Sequence, residues 1–433
     1  MKEENKSQAF FVSNRKRLLP LLEEQSLTLL FSNDEMPRTG DQYFPFRQNS
    51  NLFYLSGIDQ PNVILAICPQ HPNPALREIL FIEPNTPEDV IRNGYKYTKE
   101  EANSISGVET VYPIADFERT LLSLTCHAQH IYLDLPENPR YSYEIECRQR
   151  RRINQLKALY PLHNYHRLYP LLSCLRLIKS PEELHRIQHA CEITAKAFKR
   201  TLNVVRPSMM EYEVEAEIAH EFIRNGITAH AFAPIVASGK NACVLHYTNN
   251  RAVCKNGDLL LLDFGAEYAN YASDLSRTIP VNGTFSQRQR QIYNACYRVY
   301  EYAKTLFVPG MSINKVYKKV CEAMQPELVS LGLFTQKDIE KQTSEYALMK
   351  KYFMHNIAHF IGLDVHDVGT TDIVFEEGMV LSCEPGIYIA EEETGVRIET
   401  TLMVSSVPFD FMSNLPVSPD DIELMMRLKL ENF

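Results

Sequence analysis

The sequence predicts an α+β protein of two domains, and three observations lead to that prediction. First, the chain has 433 residues, of which 45% are hydrophobic, so it can bury a large core and exceeds the usual size of one domain. Second, helical and strand-like patterns alternate in the first part of the chain, which favours an α/β domain. Third, helices and strands then occur in clusters without strict alternation, which favours an α+β domain. We predict a smaller N-terminal domain over residues 1–172 and a second domain over residues 173–433.

Short apolar runs between polar loops predict the elements of the N-terminal domain. The spacing of apolar residues predicts a helix over residues 8–22, and a polar, arginine-rich stretch predicts another over residues 141–159. Segments rich in proline and asparagine, at 69–74 and 83–88, predict loops. Four short apolar runs, partly β-branched, predict buried strands at 27–31, 63–68, 79–82 and 131–133.

The second domain opens with a strong helix start. The residues SPEE at 180–183 combine an N-cap serine, a proline at the first helical position and a capping-box glutamate, so they predict a long helix that runs toward residue 205. A second helix is predicted over 211–225, with Gly226 just after its end. The remaining predictions are helices near 286–307 and 312–331, and strands at 232–237, 258–263, 274–279, 378–383 and 395–404.

Composition argues against several classes of protein. The formal net charge of −9 makes the chain a poor nucleic-acid binder, because phosphate contacts need a basic surface. No apolar run approaches the roughly 20 residues that cross a bilayer, so no membrane association is expected. The first residues lack the apolar region of a secretory signal. The ten cysteines contain no CxxC pair, so they are expected to be reduced thiols of a cytoplasmic protein.

Four acidic residues near predicted strands form the most informative feature of the second domain. They are Asp263 in LLLLDFG, Asp274 in YASDLSRT, Glu384 in MVLSCEPG and Glu399 in GVRIETT. An acid at the end of a buried strand is costly unless it is paired or bound to a cation. Any one of them could cap a helix or pair with an arginine, but four together suggest a metal site. Alternation along 395–404 predicts that Arg397 and Glu399 share one face of a single strand.

Histidines lie among these acids. His355 and His359 are four residues apart in MHNIAHFIG, so they would share a face if this segment were a helix. His366 follows in GLDVHDVG. For His355 alone, a core or surface histidine with no special role remains an open alternative. Asn356 stands where a zinc peptidase of the HExxH type needs its glutamate, which excludes that class.

The proposed ligand set indicates the metal. Oxygen-rich ligation with one imidazole suits manganese, iron or cobalt better than a zinc site built from thiolates. Four carboxylates balance the charge of two divalent ions, whereas one ion would leave a strongly negative buried cluster. A pair of ions also supplies a hydroxide nucleophile at neutral pH. We find no GxGxxG, Walker A or GxSxG pattern, so the sequence does not support nucleotide binding or a serine nucleophile.

These residues resemble a known family. The order Asp263, Asp274, His359, Glu384, Glu399 is similar to that of the five metal ligands in metallopeptidases with the pita-bread fold, which include methionine aminopeptidase, prolidase and aminopeptidase P. The strings HYTNN, HFIGLDVHDVG, EPGIY and GVRIE resemble the Xaa-Pro branch. The segment FPFRQNSNLFYLSGI at 44–58 resembles aminopeptidase P, whereas methionine aminopeptidases lack this N-terminal domain. The resemblance implies a curved antiparallel sheet covered by helices, with an α/β domain before it.

The resemblance also implies the role of each ligand. Asp263 would chelate one metal, Asp274 and Glu399 would bridge two, and His359 and Glu384 would complete the other. A hydroxide that bridges the metals would attack the carbonyl before proline, and Glu384 would accept the proton of the water.

Further residues would face the substrate. His246 and His366 would stabilise the tetrahedral intermediate by hydrogen bonding. His355 and Arg397 would shape the proline-side pocket, with Tyr388 beside Arg397. Asp41 matches an acid that in aminopeptidase P can reach a neighbouring subunit's site near the substrate amine; a plain turn acid is the alternative.

Three positions depart from the pattern of the family. Thr400 follows Glu399 where a second acid is usual, and Phe232 stands where a tyrosine is common. The segment EDVIRNG at 88–94 stands where a tryptophan is often found, and the chain has no tryptophan. None of the three positions is a proposed metal ligand.

The sequence thus predicts a dinuclear Xaa-Pro aminopeptidase that acts on peptides with proline second. Manganese is the expected metal, with cobalt, iron and zinc as alternatives, and the resemblance implies a homodimer or homotetramer. A prolidase, restricted to Xaa-Pro dipeptides, shares the catalytic motifs and remains open. A metal-free binding module on the same fold, or metal-free creatinase-like hydrolysis, would be expected to have lost ligands, and all five are present.

Overall fold

The computed structural model describes residues 2–138, 144–227, 229–342 and 344–428. The chain divides into two units, Met1–Arg176 and Leu177–Phe433. Within the described ranges, every helix is too short or too polar to cross a lipid bilayer. Both units combine helices with strands, and the ladders of the second unit are antiparallel. The predicted α+β class is therefore confirmed.

A mixed six-stranded sheet with strand order β6-β5-β4-β1-β7-β8 forms the core of the first unit. Apolar residues from these strands and from the helices α5 and α6 pack into one cluster, which includes Leu29, Phe81, Phe117 and Leu156. The strands of this unit are β1 Ser26–Phe31, β2 Pro37–Thr39, β3 Gln42–Tyr43, β4 Ile64–Ile67, β5 Glu78–Ile82, β6 Thr110–Pro113, β7 His130–Leu133 and β8 Asn164–Arg167. The helices are α1 Lys2–Leu18, α2 Ser50–Ser56, α3 Pro87–Asn93, α4 Lys99–Ser106, α5 Phe117–Cys126, α6 Arg148–Leu159 and α7 Tyr169–Leu177.

The first helix starts and ends earlier than predicted, and the arginine-rich helix is shorter than predicted. Helix α1 ends at Leu18, because Pro20 lies in a short 3₁₀ turn, Leu19–Leu21, and cannot continue the α-helical hydrogen bonding. Helix α6 begins at Arg148 rather than at Tyr141, and residues 139–143 lie outside the described residues. All four predicted strands are present as β1, β4, β5 and β7.

The second unit begins with the long helix that the SPEE segment predicts. The side chain of Ser180 accepts a hydrogen bond from the backbone of Glu183, and the side chain of Glu183 accepts one from the backbone of Ser180. Gly226 follows the second helix with φ +80°, as its predicted place after the helix end requires. The helices are α8 Pro181–Val204, α9 Glu211–Arg224, α10 Gln287–Lys304, α11 Ile313–Ser330, α12 Gln336–Lys341 and α13 Pro419–Arg427.

Short antiparallel sheets provide the scaffold of this unit. One sheet has the order β13-β10-β9, a second has the order β14-β17-β18, and β15 pairs with β16. The strands are β9 Ile235–Ser238, β10 Leu259–Phe264, β11 Glu267–Tyr268, β12 Tyr271–Ala272, β13 Leu275–Pro280, β14 Val380–Cys383, β15 Gly386–Ile389, β16 Thr394–Arg397, β17 Thr400–Met403 and β18 Phe409–Asp410.

The predicted single strand over 395–404 is wrong. The chain leaves one sheet and joins another at Ile398 and Glu399, because β16 pairs with β15 while β17 pairs with β14. At the break, the backbone amide of Ile398 donates to the carbonyl of Pro385. The backbone amide of Glu399 donates to the carbonyl of Ser276. The break places Glu399 between two sheets.

The helical alternative for residues 355–359 is also wrong. This segment is extended and runs beside β14, where the amide of Ser382 donates to the carbonyl of His359 at 2.9 Å. The amide of Glu384 donates to the carbonyl of Ile357 at 2.9 Å in the same way. The two histidines therefore share a face because side chains alternate along an extended segment, not because they lie one helical turn apart.

Candidate metal centre

Five segments of the second unit bring the predicted ligands together. Asp263 is the next-to-last residue of β10, and Asp274 directly precedes β13. Glu384 directly follows β14, and Glu399 lies at the break between β16 and β17. His359 lies on the extended segment beside β14. All five residues are thus fixed by strands or strand ends rather than by long loops.

His359 lies at the centre of the acidic cluster. Its Nε2 atom is 3.3 Å from Oδ2 of Asp274 and 3.8 Å from Oε1 of Glu384. Ligand atoms of Asp274, His359 and Glu399 all lie within 4.8 Å of one another. The Nδ1 atom of His359 is 3.1 Å from the carbonyl of Phe360, an arrangement that places the ring proton on Nδ1 and leaves Nε2 directed at the carboxylates.

Three of the carboxylates each have a buried oxygen that lacks a hydrogen-bond partner among the described residues. These atoms are Oδ1 of Asp263, Oδ1 of Asp274 and Oε1 of Glu399. A buried anionic oxygen without a partner is costly, and a cation removes that cost. Carboxylate oxygens with one imidazole are a suitable donor set for a divalent metal. The residues of the site therefore fit a metal ion.

The electrostatics of the cluster lead to the same conclusion. Burial raises the pKa of Asp263, Glu384 and Glu399, and it raises the pKa of Asp274 to about 6. Repulsion from neighbouring carboxylates adds to the effect in all four. Burial opposes the charged form of His359, but the hydrogen bond to Asp274 and the charge of Glu384 raise its pKa overall.

Arg397 connects the acidic cluster to two hydroxyl groups. Its Nη2 atom donates to Oδ2 of Asp263 at 2.5 Å, and its Nε atom donates to the hydroxyl of Ser276 at 2.8 Å. The same hydroxyl donates to Oε2 of Glu399 at 2.5 Å. Arg277 donates to the backbone carbonyl of Glu399, which fixes the bend at this ligand.

A chain of hydrogen bonds leads from Arg397 to His355. Nη1 of Arg397 donates to the hydroxyl of Tyr388 at 2.8 Å, and this hydroxyl lies 2.7 Å from Nε2 of His355. Nδ1 of His355 is 2.7 Å from the carbonyl of Asn356, so Nδ1 carries the proton and Nε2 accepts from Tyr388. Burial lowers the pKa of His355 to about 3, with a further contribution from the charge of Arg397. His355 is therefore neutral here.

The remaining predicted residues differ in their local surroundings. The ring of His366 packs edge-on against His359 with centroids 4.4 Å apart. His246 is exposed, on a turn that follows the 3₁₀ helix Gly239–Cys243. Asp41 belongs to the first unit, where it lies in the exposed turn between β2 and β3 and accepts a hydrogen bond from Gln42.

Sequence reasoning missed the hydroxyl residues that support the ligands. Ser276 contacts Glu399, and the hydroxyl of Ser382 accepts from the backbone amide of His359 and donates to Glu384 at 3.2 Å. Each is two residues from a predicted ligand in the chain: Ser276 lies on the strand that follows Asp274, and Ser382 lies on the strand that precedes Glu384. That spacing was visible in the sequence, because alternate residues of a strand share a face.

Two family models match this chain. Residues 185–406 match the model of metallopeptidase family M24, and residues 11–132 match the N-terminal domain of aminopeptidase P. The M24 match spans half of the chain and contains every predicted metal ligand. The chain therefore belongs to metallopeptidase family M24.

Known proteins that are similar over their full length indicate which members of family M24 this chain resembles. A Xaa-Pro aminopeptidase of Haemophilus influenzae is 34% identical, over 96% of this chain and 97% of the relative. Zinc-substituted Escherichia coli aminopeptidase P in complex with product superposes with a TM-score of 0.87 at 31% identity, over 98% of this chain and 99% of that chain. Proline aminopeptidase P II from Yersinia pestis gives a TM-score of 0.87 at 33% identity, over 97% and 99%. These matches confirm the predicted metallo-aminopeptidase and its pita-bread fold.

Proposed function

We propose that this chain is a Xaa-Pro aminopeptidase that works with two divalent metal ions and releases the residue before a second-position proline. The observation that carries the proposal is the set of three buried carboxylate oxygens without partners among the described residues, beside His359. Full-length similarity to Xaa-Pro aminopeptidases supplies the substrate class. The proposed site lies in residues 173–433.

Asp263, Asp274, His359, Glu384 and Glu399 would hold the ions. Four carboxylates and the guanidinium of Arg397, which pairs with Asp263, give a net charge of about −3, more than one divalent ion neutralises. When bound, such ions polarise a carbonyl oxygen and lower the pKa of a shared water. We propose manganese as the native metal, with cobalt, iron or zinc as alternatives.

Glu384 would accept a proton during the reaction. Its Oε1 atom is oriented by the hydroxyl of Ser382, and its Oε2 atom lies 3.7 Å from Nδ1 of His355. A carboxylate whose pKa is raised by burial is a stronger base than an exposed one. We propose that Glu384 takes the proton of the attacking water and later gives it to the leaving amine.

The histidines and Arg397 would position the substrate. His246 and His366 would donate hydrogen bonds to the carbonyl oxygen as negative charge develops on it. His355, Tyr388 and Arg397 would form the proline side of the pocket, where a rigid surface suits a ring with no N–H group. The hydrogen bonds from Tyr388 to His355 and from Arg397 to Tyr388 favour this assignment, because they fix the three side chains relative to one another.

An assay on metal-stripped protein tests the proposal. An Xaa-Pro dipeptide and a longer Xaa-Pro-Pro peptide are offered with Mn, Co or Zn added back. We expect cleavage of the longer peptide after its first residue, and loss of cleavage in Asp274→Asn. Asp420→Asn, at an exposed acid paired with Arg290, should keep full activity. Cleavage of the dipeptide alone would indicate a prolidase, and no turnover with any metal would reject the hydrolase.

We also propose a homodimer or homotetramer in which Asp41 approaches a neighbouring subunit's site near the substrate amine. Sedimentation measures the oligomer directly. Asp41→Ala should raise KM for peptides with a free N-terminus and leave the oligomer intact. If Asp41 is a plain turn acid, its loss changes neither quantity. A cytoplasmic location stays a prediction.

A further inference from the structure

Glu211 is a buried carboxylate outside the metal centre. It is the first residue of helix α9, and its side chain is fully buried. Its Oε1 atom accepts hydrogen bonds from the amide and the hydroxyl of Ser238, both at 2.8 Å, and from Asn241 at 3.0 Å. Its Oε2 atom accepts from the hydroxyl of Tyr247 at 2.7 Å and from the amide of Ala252 at 2.8 Å. Burial would raise the pKa of Glu211, but these bonds lower it overall.

The five donors all belong to one segment of chain, residues 238–252. This segment runs from the end of β9 through the 3₁₀ helix Gly239–Cys243 to the HYTNN string. Glu211 binds both ends of it and its middle, and the backbone amide of Glu211 also donates to the carbonyl of Ala252 at 2.9 Å. One carboxylate thus fixes the conformation of a segment that has little regular structure of its own.

A second residue of helix α9 also binds segment 238–252. We call the contacts between Glu211 and this segment the anchor. Asn250 has φ +48° and is buried. Its amide group donates to Glu215 and to the carbonyl of Pro234, both at 2.9 Å, and its side-chain oxygen accepts from the amide of Val236 at 3.0 Å. Helix α9 therefore holds the segment at more than one point.

The anchored segment packs against the candidate site. Ala242 and Tyr388 belong to one apolar cluster, against which Leu245 and Tyr247 also pack. Strand β16 runs so close to the segment that a Cβ atom at Gly395 would lie 2.4 Å from the carbonyl oxygen of Ala242. The segment thus contacts the hairpin β15–β16, which supplies Tyr388 and Arg397 to the site.

We propose that Glu211 is a positioning residue for the reaction, which acts by holding segment 238–252 so that His246 faces the substrate carbonyl. The inference rests on the proposed function, because His246 is the residue through which Glu211 acts. The side chain of Tyr247, next to His246 in the chain, carries the hydrogen bond that transmits the constraint. A carboxylate is required here, because its two oxygens accept five hydrogen bonds and an amide has only one oxygen.

Kinetics of Glu211→Gln in two backgrounds test the proposal. In the metal-loaded enzyme we expect kcat on an Xaa-Pro-Pro peptide to fall by roughly 30-fold with little change in KM, because a small displacement of a catalytic group is costly. In a His246→Ala background the same substitution should cost no more than about 2-fold, because its effect passes through His246. An equal loss in both backgrounds would show general damage and overturn the proposal, as would an unchanged kcat.

Two further variants guard against misfolding. Glu217→Gln changes a carboxylate on the same helix that pairs with Arg200 instead, so it should keep full activity. Tyr247→Phe removes one donor and leaves the other four on Glu211. We expect a loss of roughly 5-fold in kcat, absent in the His246→Ala background. If Glu211→Gln does not fold, an unchanged kcat in Tyr247→Phe overturns the proposal.

Hydrogen exchange separates this inference from the proposed function. Glu211→Gln should speed amide exchange in residues 239–250 whether or not the enzyme turns over. Unchanged exchange there would reject the anchor itself. If the wild-type chain cleaves no Xaa-Pro peptide but exchange does rise, the anchor stands, and its catalytic role is rejected together with the proposed function.

Discussion

Individual carboxylates of the metal centre carry opposite consequences for stability and for activity. Asp263, Asp274 and Glu399 each keep a buried oxygen without a partner within the described part of the chain. Without a cation, these atoms repel one another in a poorly solvated space. With a cation, they would be its proposed ligands. A single substitution at one of these acids can therefore stabilise the metal-free protein and abolish the activity of the metal-bound protein.

Glu399→Gln makes this opposition measurable. The variant should lose bound metal and at least ~10³-fold in kcat, because it replaces a charged ligand. The free energy of unfolding of its metal-free form should be about 1–2 kcal/mol higher than that of the metal-free wild type, because one buried charge is gone. Metal analysis and thermal unfolding with and without chelator measure both effects. Glu392→Gln, at an acid that pairs with Arg288 on the surface, serves as the control, and a metal-free Glu399→Gln less stable than wild type would contradict the argument.

The sequence alone predicts some helices and strands and misses others. The long helix α8 and its capping box were predicted because the signal is local, in the residues 180–183. Strands β6 and β8 were missed because they are short and lack a continuous apolar run: β8 reads NYHR. The break at Glu399 was missed because apolar alternation continues through it, and only the pairing partners, β15 and β14, reveal two strands. Partner choice is a tertiary property.

Some features of the candidate site could likewise be predicted from the sequence, and others could not. The five proposed ligands could be named from the sequence, because buried acids are costly enough to indicate a cation and the family resemblance gives their order. The contacts of Ser276 and Arg277 with Glu399 could not be inferred, because Glu399 lies 123 and 122 positions later in the chain and only the fold brings it beside them. Glu211 gave no signal either, since its five donors come from a segment that begins more than 25 positions later.

A tight approach between two elements gives a test of packing. Gly395→Ala would place a Cβ atom 2.4 Å from the carbonyl oxygen of Ala242, so β16 must move away from the 3₁₀ helix Gly239–Cys243. We expect a loss of about 2–4 kcal/mol in the free energy of unfolding, measured with denaturant. Gly226→Ala, at φ +80° with no atom of the described residues within 4 Å of the added Cβ, should cost only about 1 kcal/mol from backbone strain. Equal losses in the two variants would show that close packing is not what Gly395 provides.

At the scale of the whole molecule, Asp134 makes stability depend on pH. Burial raises the pKa of this carboxyl to about 6, although Asn49 and Asn51 donate hydrogen bonds to it. The folded state thus holds a proton that the unfolded state releases near its ordinary pKa. The contribution of this group to stability should be greatest below about pH 4 and should fall as the pH rises to about 6, with a slope of about 1.4 kcal/mol per pH unit.

Asp134→Asn should remove this slope. Chemical unfolding at a series of pH values measures it, and the comparison is between slopes rather than between absolute stabilities. Asp116→Asn, at a surface acid that pairs with Arg119, should leave the slope unchanged. A wild-type stability that rises between pH 4 and pH 6, with the same rise in Asp134→Asn, would show that other groups control this range.

Removal of the metal by a chelator should change hydrogen exchange in the second unit and leave the first unit nearly unchanged. All the proposed ligands belong to Leu177–Phe433, so removing the metal should expose amides there. We expect faster hydrogen exchange in 259–280, 355–366 and 380–403 after chelator treatment, restored by Mn, with little change in the sheet of the first unit. A metal at 100 times its dissociation constant adds about 2.7 kcal/mol of stability. Uniform changes along the chain would argue against a site confined to the second unit.

The break at Glu399 has a consequence for the order of folding. The ligands come from strands that are distant in the chain, and Glu399 reaches its place only after β16 has joined one sheet and β17 another. Glu399 must also meet Ser276, 123 positions earlier in the chain. Contacts between such distant residues close long loops and form late. A metal ion therefore has little to bind before the rate-limiting step, and its binding energy slows unfolding rather than speeding folding. Refolding rates should be nearly the same with and without Mn, while the unfolding rate falls as Mn is added. The ion would then give the folded protein kinetic stability without taking part in its folding.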